Sequence, residues 1–122
     1  MDSGYINEKS KNKITGNIGE AKVYDYLVKQ GYEIITTNYK TPIGEIDIIA
    51  KDETDRIIFI EVKSRSNLKH GYPREAVTKE KQMRIRRVAE YFLKVKRLKN
   101  QYVRFDVIEV LSGEITHLKN AF

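Results

Sequence analysis

The chain has 122 residues, 40% of them hydrophobic and 33% charged, a formal net charge of +6 and no cysteine. That balance fits one folded, soluble domain and excludes disulfides, cysteine-ligated zinc and iron–sulfur centres. The surplus of positive charge favours polyanionic partners, nucleic acid first and an anionic membrane surface second, although a generic basic protein carries the same charge.

Residues 1–13 are polar and aperiodic, and read as a flexible N-terminal arm ahead of one domain over 14–122. They hold no apolar signal core, and nowhere is there a run of about eighteen apolar residues, so neither export nor a spanning helix is expected. A cytoplasmic protein fits these features. From about Asn17 to Gln30 the period is helical: Ile18, Ala21, Tyr24, Asp25 and Val28 recur at steps of three and four, and Gly31 stops the helix. Glu20 lies on the shoulder of that stripe. Asn17-x-x-Glu20 has the spacing of a capping box, which needs no catalysis. Glu33–Asn38 reads as a short strand, and Thr41–Gly44 as a turn.

The central stretch is Gly44–Lys63, GEIDIIAKDETDRIIFIEVK. It predicts a hairpin with strands Glu45–Lys51 and Arg56–Lys63 around a polar turn, Asp52–Asp55. Both strands are apolar on both faces, as suits a covered sheet, yet they carry Glu45, Asp47, Glu61 and Lys63. Moving an ionised group out of water is costly, so these charges must pair, hold a metal, or open to solvent. Alternation puts Glu45, Asp47 and Ile49 on one face of the first strand, and Ile57, Phe59, Glu61 and Lys63 on one face of the second. If the strands are neighbours, Asp47 and Glu61 converge beside Lys63. Two carboxylates, a strand carbonyl and waters suit Mg²⁺ or Mn²⁺. Such an ion with a lysine beside it suits hydrolysis of a phosphodiester. The plainer reading is a salt bridge between Asp47 and Lys63.

A polar loop with Gly71 and Pro73 follows Lys63. There Ser64 and Arg65 either bind phosphate or are simply solvated. His70 and His117 lack a second ligand at metal spacing and read as surface residues. Thr78 caps a second helix that runs to about Leu98 with the stripe Ile85, Val88, Phe92 and Val95, Ala89 beside it. Lys81 projects from that stripe and either snorkels or reaches the polar cluster. The outer face carries Lys79, Arg86, Arg87, Lys94 and Arg97, a one-signed surface suited to tracking phosphates. Tyr102–Leu111 is a strand, Ser112-Gly113 a turn and Glu114–Leu118 a last strand. Asp106 sits mid-strand, and pairing with an arginine is its simpler role. The order of elements gives an α/β domain with a mixed sheet.

Several stretches together resemble a known family: TGNIGEA (Thr15–Ala21), Asn38, Gly44–Asp47, Phe59–Arg65, Gly71, Val77-Thr78, Lys81-Gln82, Arg104–Val107 and Leu118–Phe122. The chain is similar to the bacterial YraN-like (UPF0102 type) predicted endonucleases. These fall in the PD-(D/E)xK nuclease superfamily and are distantly similar to archaeal Holliday-junction resolvases. The resemblance implies a restriction-endonuclease-like core, a central mixed sheet flanked by helices. It also implies a Mg²⁺- or Mn²⁺-dependent endonuclease acting on DNA, at branched or damaged sites. Residue by residue, Glu20, Asp47, Glu61 and Lys63 would be catalytic. Asp47, Glu61, the Val62 carbonyl and Glu20 would hold metal. Arg65, Lys81, Gln82 and Arg86 would hold nucleic acid. Ile46 stands where the superfamily's motif has proline. Resolvase-like relatives act as dimers, which allows a homodimer here. The alternatives are a non-catalytic nucleic-acid-binding module with the same fold, or a basic scaffold for a protein partner.

Overall fold

The computed structural model describes residues 18–65, 77–99 and 101–122. The expected arm, the capping Asn17, the Arg65 side chain and the loop with His70 lie outside the described residues. Among the described residues, two helices and five strands follow in chain order: α1 (Ile18–Lys29), β1 (Glu33–Lys40), β2 (Glu45–Lys51), β3 (Ile57–Arg65), α2 (Lys79–Val95), β4 (Val103–Leu111) and β5 (Glu114–Leu118). The strands form one sheet in the order β1-β2-β3-β4-β5. Neighbours are antiparallel except β3 and β4, which run parallel across the α2 connection. This is the expected mixed α/β sheet, compatible with a restriction-endonuclease-like core.

Alternation along the central strands supplies two apolar faces, and one helix covers each. Ile49, Ile57, Phe59, Phe105 and Val107 pack under Ile85, Val88, Ala89 and Phe92 of α2. Ile48, Ala50, Ile58, Ile60, Ile108 and Val110 pack under Val23 and Leu27 of α1. The local signals are where the residues require them. Thr78 caps α2, its hydroxyl accepting from the Lys81 amide. Gly31 ends α1 at φ +93°, a left-handed backbone that glycine adopts without strain. In the β2–β3 turn, one Asp52 oxygen accepts from the amides of Thr54 and Arg56 and from the Thr54 hydroxyl.

Four expectations are corrected. The buried stripe of α1 is Val23, Tyr24 and Leu27, whereas Val28 is 51% exposed and Asp25 faces solvent. Steps of three and four can be drawn along either side of this helix, and the sheet takes the side with the larger aliphatic surface. Val95 is 54% exposed, because α2 ends there and Leu98, its amide bonded to the Leu93 carbonyl, packs on the core instead. Strand β3 runs on through Ser64 and Arg65, paired residue for residue with β4 as far as Leu111.

The fourth concerns His117, which is not a surface residue. Its Nε2 lies 2.7 Å from Asp106 Oδ2 and its Nδ1 lies 2.9 Å from the Tyr26 hydroxyl. Asp106 is fully buried and takes two 2.8 Å bonds from Arg104, as well as the Asn120 amide at 2.9 Å. Arg104 also donates to the Tyr32 hydroxyl. Spacing along the sequence could not show this, because the partners come from α1, β4 and β5 and meet only when the sheet closes.

Burial alone would push the Asp106 carboxyl up. The hydrogen bonds from His117, Arg104 and the Asn120 amide outweigh burial and hold it below its usual value. A depressed carboxyl stabilises the fold above its unfolded pKa, and that stability is lost as pH falls through the folded value. Asp106→Asn leaves the Arg104 guanidinium buried without a counter-charge. The variant should lose about 3–5 kcal/mol at pH 7, read by urea unfolding. Its deficit against the wild type should begin to narrow below about pH 4, where Asp106 takes up a proton in the unfolded chain while the folded carboxyl, held lower, still resists.

Candidate active site

The β2–β3 ladder stops at Ile48↔Ile60, one pair short of Asp47. The Asp47 carboxylate then accepts the Val62 amide at 2.8 Å, in place of the main-chain carbonyl a continuing ladder would supply. Strict alternation fails here. Ile46 joins Ile49 on the α2 side while Ile48 faces α1. Opposite Asp47, between the pairs Thr37↔Ile48 and Tyr39↔Ile46, Asn38 has φ +52°. A left-handed residue inside a strand bends the ribbon locally. Asp47 is therefore turned onto the edge of β3 rather than fixed to the face that it was expected to share with Ile49.

At that edge Asp47 meets Glu61. Burial first, then the Glu61 charge beside it and more weakly that of Glu20, push the Asp47 carboxyl up to about 7, against the opposing pull of the Val62 amide. Glu20 lies one turn before Val23 and Tyr24 on the inner side of α1, so its charge reaches Asp47 from the other layer. Glu61 is buried and holds two ammonium groups on one oxygen: Lys63, 3.5 Å from Oε2, and Lys81, paired with that same Oε2. Burial lowers the Lys63 ammonium and the neighbouring Lys81 lowers it further. Burial opposes the Lys81 charge too, but its bond to Glu61 prevails and raises it.

Where β2 leaves β3, a cleft of about 270 Å³ opens, lined by Gly44, Glu45, Asp47, Glu61, Lys81, Arg84 and Ile85. The expected juxtaposition of Asp47, Glu61 and Lys63 is thus present, and the plain Asp47–Lys63 salt bridge is not among the ion pairs of the described residues. Of the two courses open to Lys81 on the α2 stripe, it takes the one that reaches the cluster, and its ammonium is spent on Glu61. Gln82 turns back onto the Val77 carbonyl at 3.0 Å. The Arg86 guanidinium lies over the Phe105 ring, 4.7 Å from its centroid. Arg84 was not foreseen. It sits beside the stripe, where only the packing of Gly44 against its stem shows that it borders the cleft.

The donor chemistry fits a hard dication. Asp47 and Glu61 offer oxygen atoms, and a strand residue's amide and carbonyl point the same way, so the Val62 carbonyl shares the edge that Asp47 faces. Among the described residues, no three Asp, Glu, His or Cys side chains form a ligand group. The set is accordingly two carboxylates, with remaining positions for a carbonyl and water. Carboxylates forced together without a cation cost stability. In metal-free buffer at pH 8, Asp47→Asn should stabilise the fold by on the order of 1–2 kcal/mol, part of the relief being lost with the charge-assisted bond to Val62. Thermal unfolding checks this, and the gain should shrink toward pH 5, where the wild-type carboxyl is already protonated.

Residues 19–110 match the family model described as "Uncharacterised protein family UPF0102". A UPF0102 protein of Clostridioides difficile is 51% identical over 113 residues, covering 91% of this chain and 98% of its own. One from Caldicellulosiruptor saccharolyticus is 49% identical over 113 residues, with 88% and 95% covered. One from Dictyoglomus thermophilum is 45% identical over 117 residues, with 91% and 98% covered. With the fold in place and a match over most of the chain, this protein belongs to the UPF0102 family.

Proposed function

We propose that the protein is a Mg²⁺- or Mn²⁺-dependent endonuclease that hydrolyses phosphodiester bonds of DNA. The observation that carries this reading is the meeting of the Asp47 and Glu61 carboxylates at the point where β2 leaves β3, with Lys63 against Glu61. Asp47, Glu61 and the Val62 carbonyl would hold the cation, and Glu20, whose charge acts on Asp47, would orient water. When bound, the cation supplies Lewis-acid polarisation of the phosphate and a more acidic water.

The side chains do the rest. Lys81 pairs with Glu61 and fixes its carboxylate in place. Lys63 holds the attacking water oxygen by a hydrogen bond and faces the negative charge that builds on the phosphate oxygens. Water adds to phosphorus, the bond to the sugar oxygen breaks, and the water's proton balances the charge on the departing oxygen. The net charge of +6 suits the polyanionic substrate.

A second reading, a nucleic-acid-binding module with no hydrolysis, is favoured by one observation. Among the described residues no three-ligand metal group is present. Incubation with linear, forked and four-way DNA, with and without Mn²⁺, separates the two. Cleavage should require Mn²⁺ or Mg²⁺ and fall at least about 100-fold in Asp47→Asn, Glu61→Gln and Lys63→Met. Mn²⁺ should also raise the melting temperature of the wild type and leave that of Asp47→Asn unmoved. Cleavage that survives Glu61→Gln and Lys63→Met would assign the activity to another source.

A further inference from the structure

Arg84 borders two hollows at once. One is the acid-lined cleft. The other is a groove of about 330 Å³ lined by Ile43, Glu80, Met83, Arg84 and Arg87. The two share Arg84 as a common wall. In the second groove Ile43 is 45% exposed and Met83 57% exposed, large apolar groups left open beside two guanidinium groups. Arg84 and Arg87 are three apart on α2, so they stand side by side on the helix surface.

Among the described residues the ionic partner of Arg84 is Glu80, 3.2 Å away with its side chain 86% exposed. Such a surface pair is weak, and a phosphate can replace the carboxylate. The position of Arg84 is set by Gly44. A Cβ there would lie 3.0 Å from Arg84 Cδ and 3.1 Å from Cγ, so a side chain at position 44 would press the Arg84 stem aside by a few tenths of an ångström.

We infer that this second groove carries the nucleic-acid strand away from the cleft, with Arg84 and Arg87 holding successive phosphates beside the bond that is cut. Met83 and Ile43 present the apolar surface on which the sugars and bases of that strand rest. Glu80 competes with the phosphate for Arg84 and keeps the guanidinium extended while the groove is empty. Charge complementarity, and the Arg84 wall shared with the carboxylate cleft, select a polyanion strand over a protein partner. The inference rests on the nucleic-acid reading above, and it assigns the phosphate contacts to residues other than Lys81 and Gln82, whose side chains are already engaged.

Fluorescence anisotropy with a labelled DNA oligonucleotide, in metal-free buffer across a salt series, tests it. Arg84→Ala and Arg87→Ala should each weaken binding about tenfold and lower the slope of log Kd against log salt by about one. Arg84→Lys should restore part of the loss. Glu80→Gln should tighten binding, and Gly44→Ala should weaken it with no change of charge. Lys29→Ala, on α1, is the charge-matched control and should bind as the wild type does. If Arg84→Ala and Arg87→Ala bind like that control while Asp47→Asn abolishes cleavage, the groove is overturned and the nuclease reading stands. If the wild type binds but never cleaves, and the arginine variants lose binding, the groove stands and hydrolysis is overturned. A wild type that does not bind DNA overturns both.

Discussion

One hydrogen bond organises the functional end of this molecule. By taking the Val62 amide, the Asp47 carboxylate ends the β2–β3 ladder and stands in for the strand that would have continued it. The consequences follow from geometry. The strands part, a cleft opens, and a carboxylate is held against Glu61 at the rim of the sheet. Two carboxylates in that position repel, and the fold tolerates them because Lys63 and Lys81 converge on the same Glu61 oxygen. Such a cluster costs stability, and a ligand of opposite charge is what would offset it.

Much of the architecture was legible in the sequence because it depends on short-range signals. The polar tetrad Asp52–Asp55, the Thr78 cap and the Ser112-Gly113 turn each fix a boundary through their own backbone chemistry. The inward direction of Lys81 was legible too, since it shares the face of Ile85, Val88 and Phe92. The buried side of α1 was not. Its weak amphipathicity allows two stripes, and only the sheet chooses between them.

The candidate site was half legible. Glu61 and Lys63 lie on a strand that keeps its alternation, so their shared side was readable. Asp47 lies where alternation breaks, and that break comes from the end of pairing and from Asn38 on the neighbouring strand, neither visible as a pattern. Arg84 was hidden for a similar reason, because its relation to the cleft depends on Gly44 coming close across space. His117 was misplaced because a lone histidine with no ligand spacing carries no signal of an aspartate on the adjacent strand.

Strand β4 ties the two layers of the molecule together. On one side Asp106 grips Arg104, His117 and the Asn120 amide. On the other, Phe105 stacks between Phe59 and Phe122 under the Arg86 guanidinium, and its carbonyl accepts the Ala121 amide at 2.7 Å. Residues 120–122 thus act as a clasp that closes over both surfaces of one strand. A peptidase that trimmed those three positions would take the Asn120 amide from the buried Asp106 and the Phe122 ring from Phe105 and the Arg86 guanidinium, and so unfasten both surfaces of β4 with one cut.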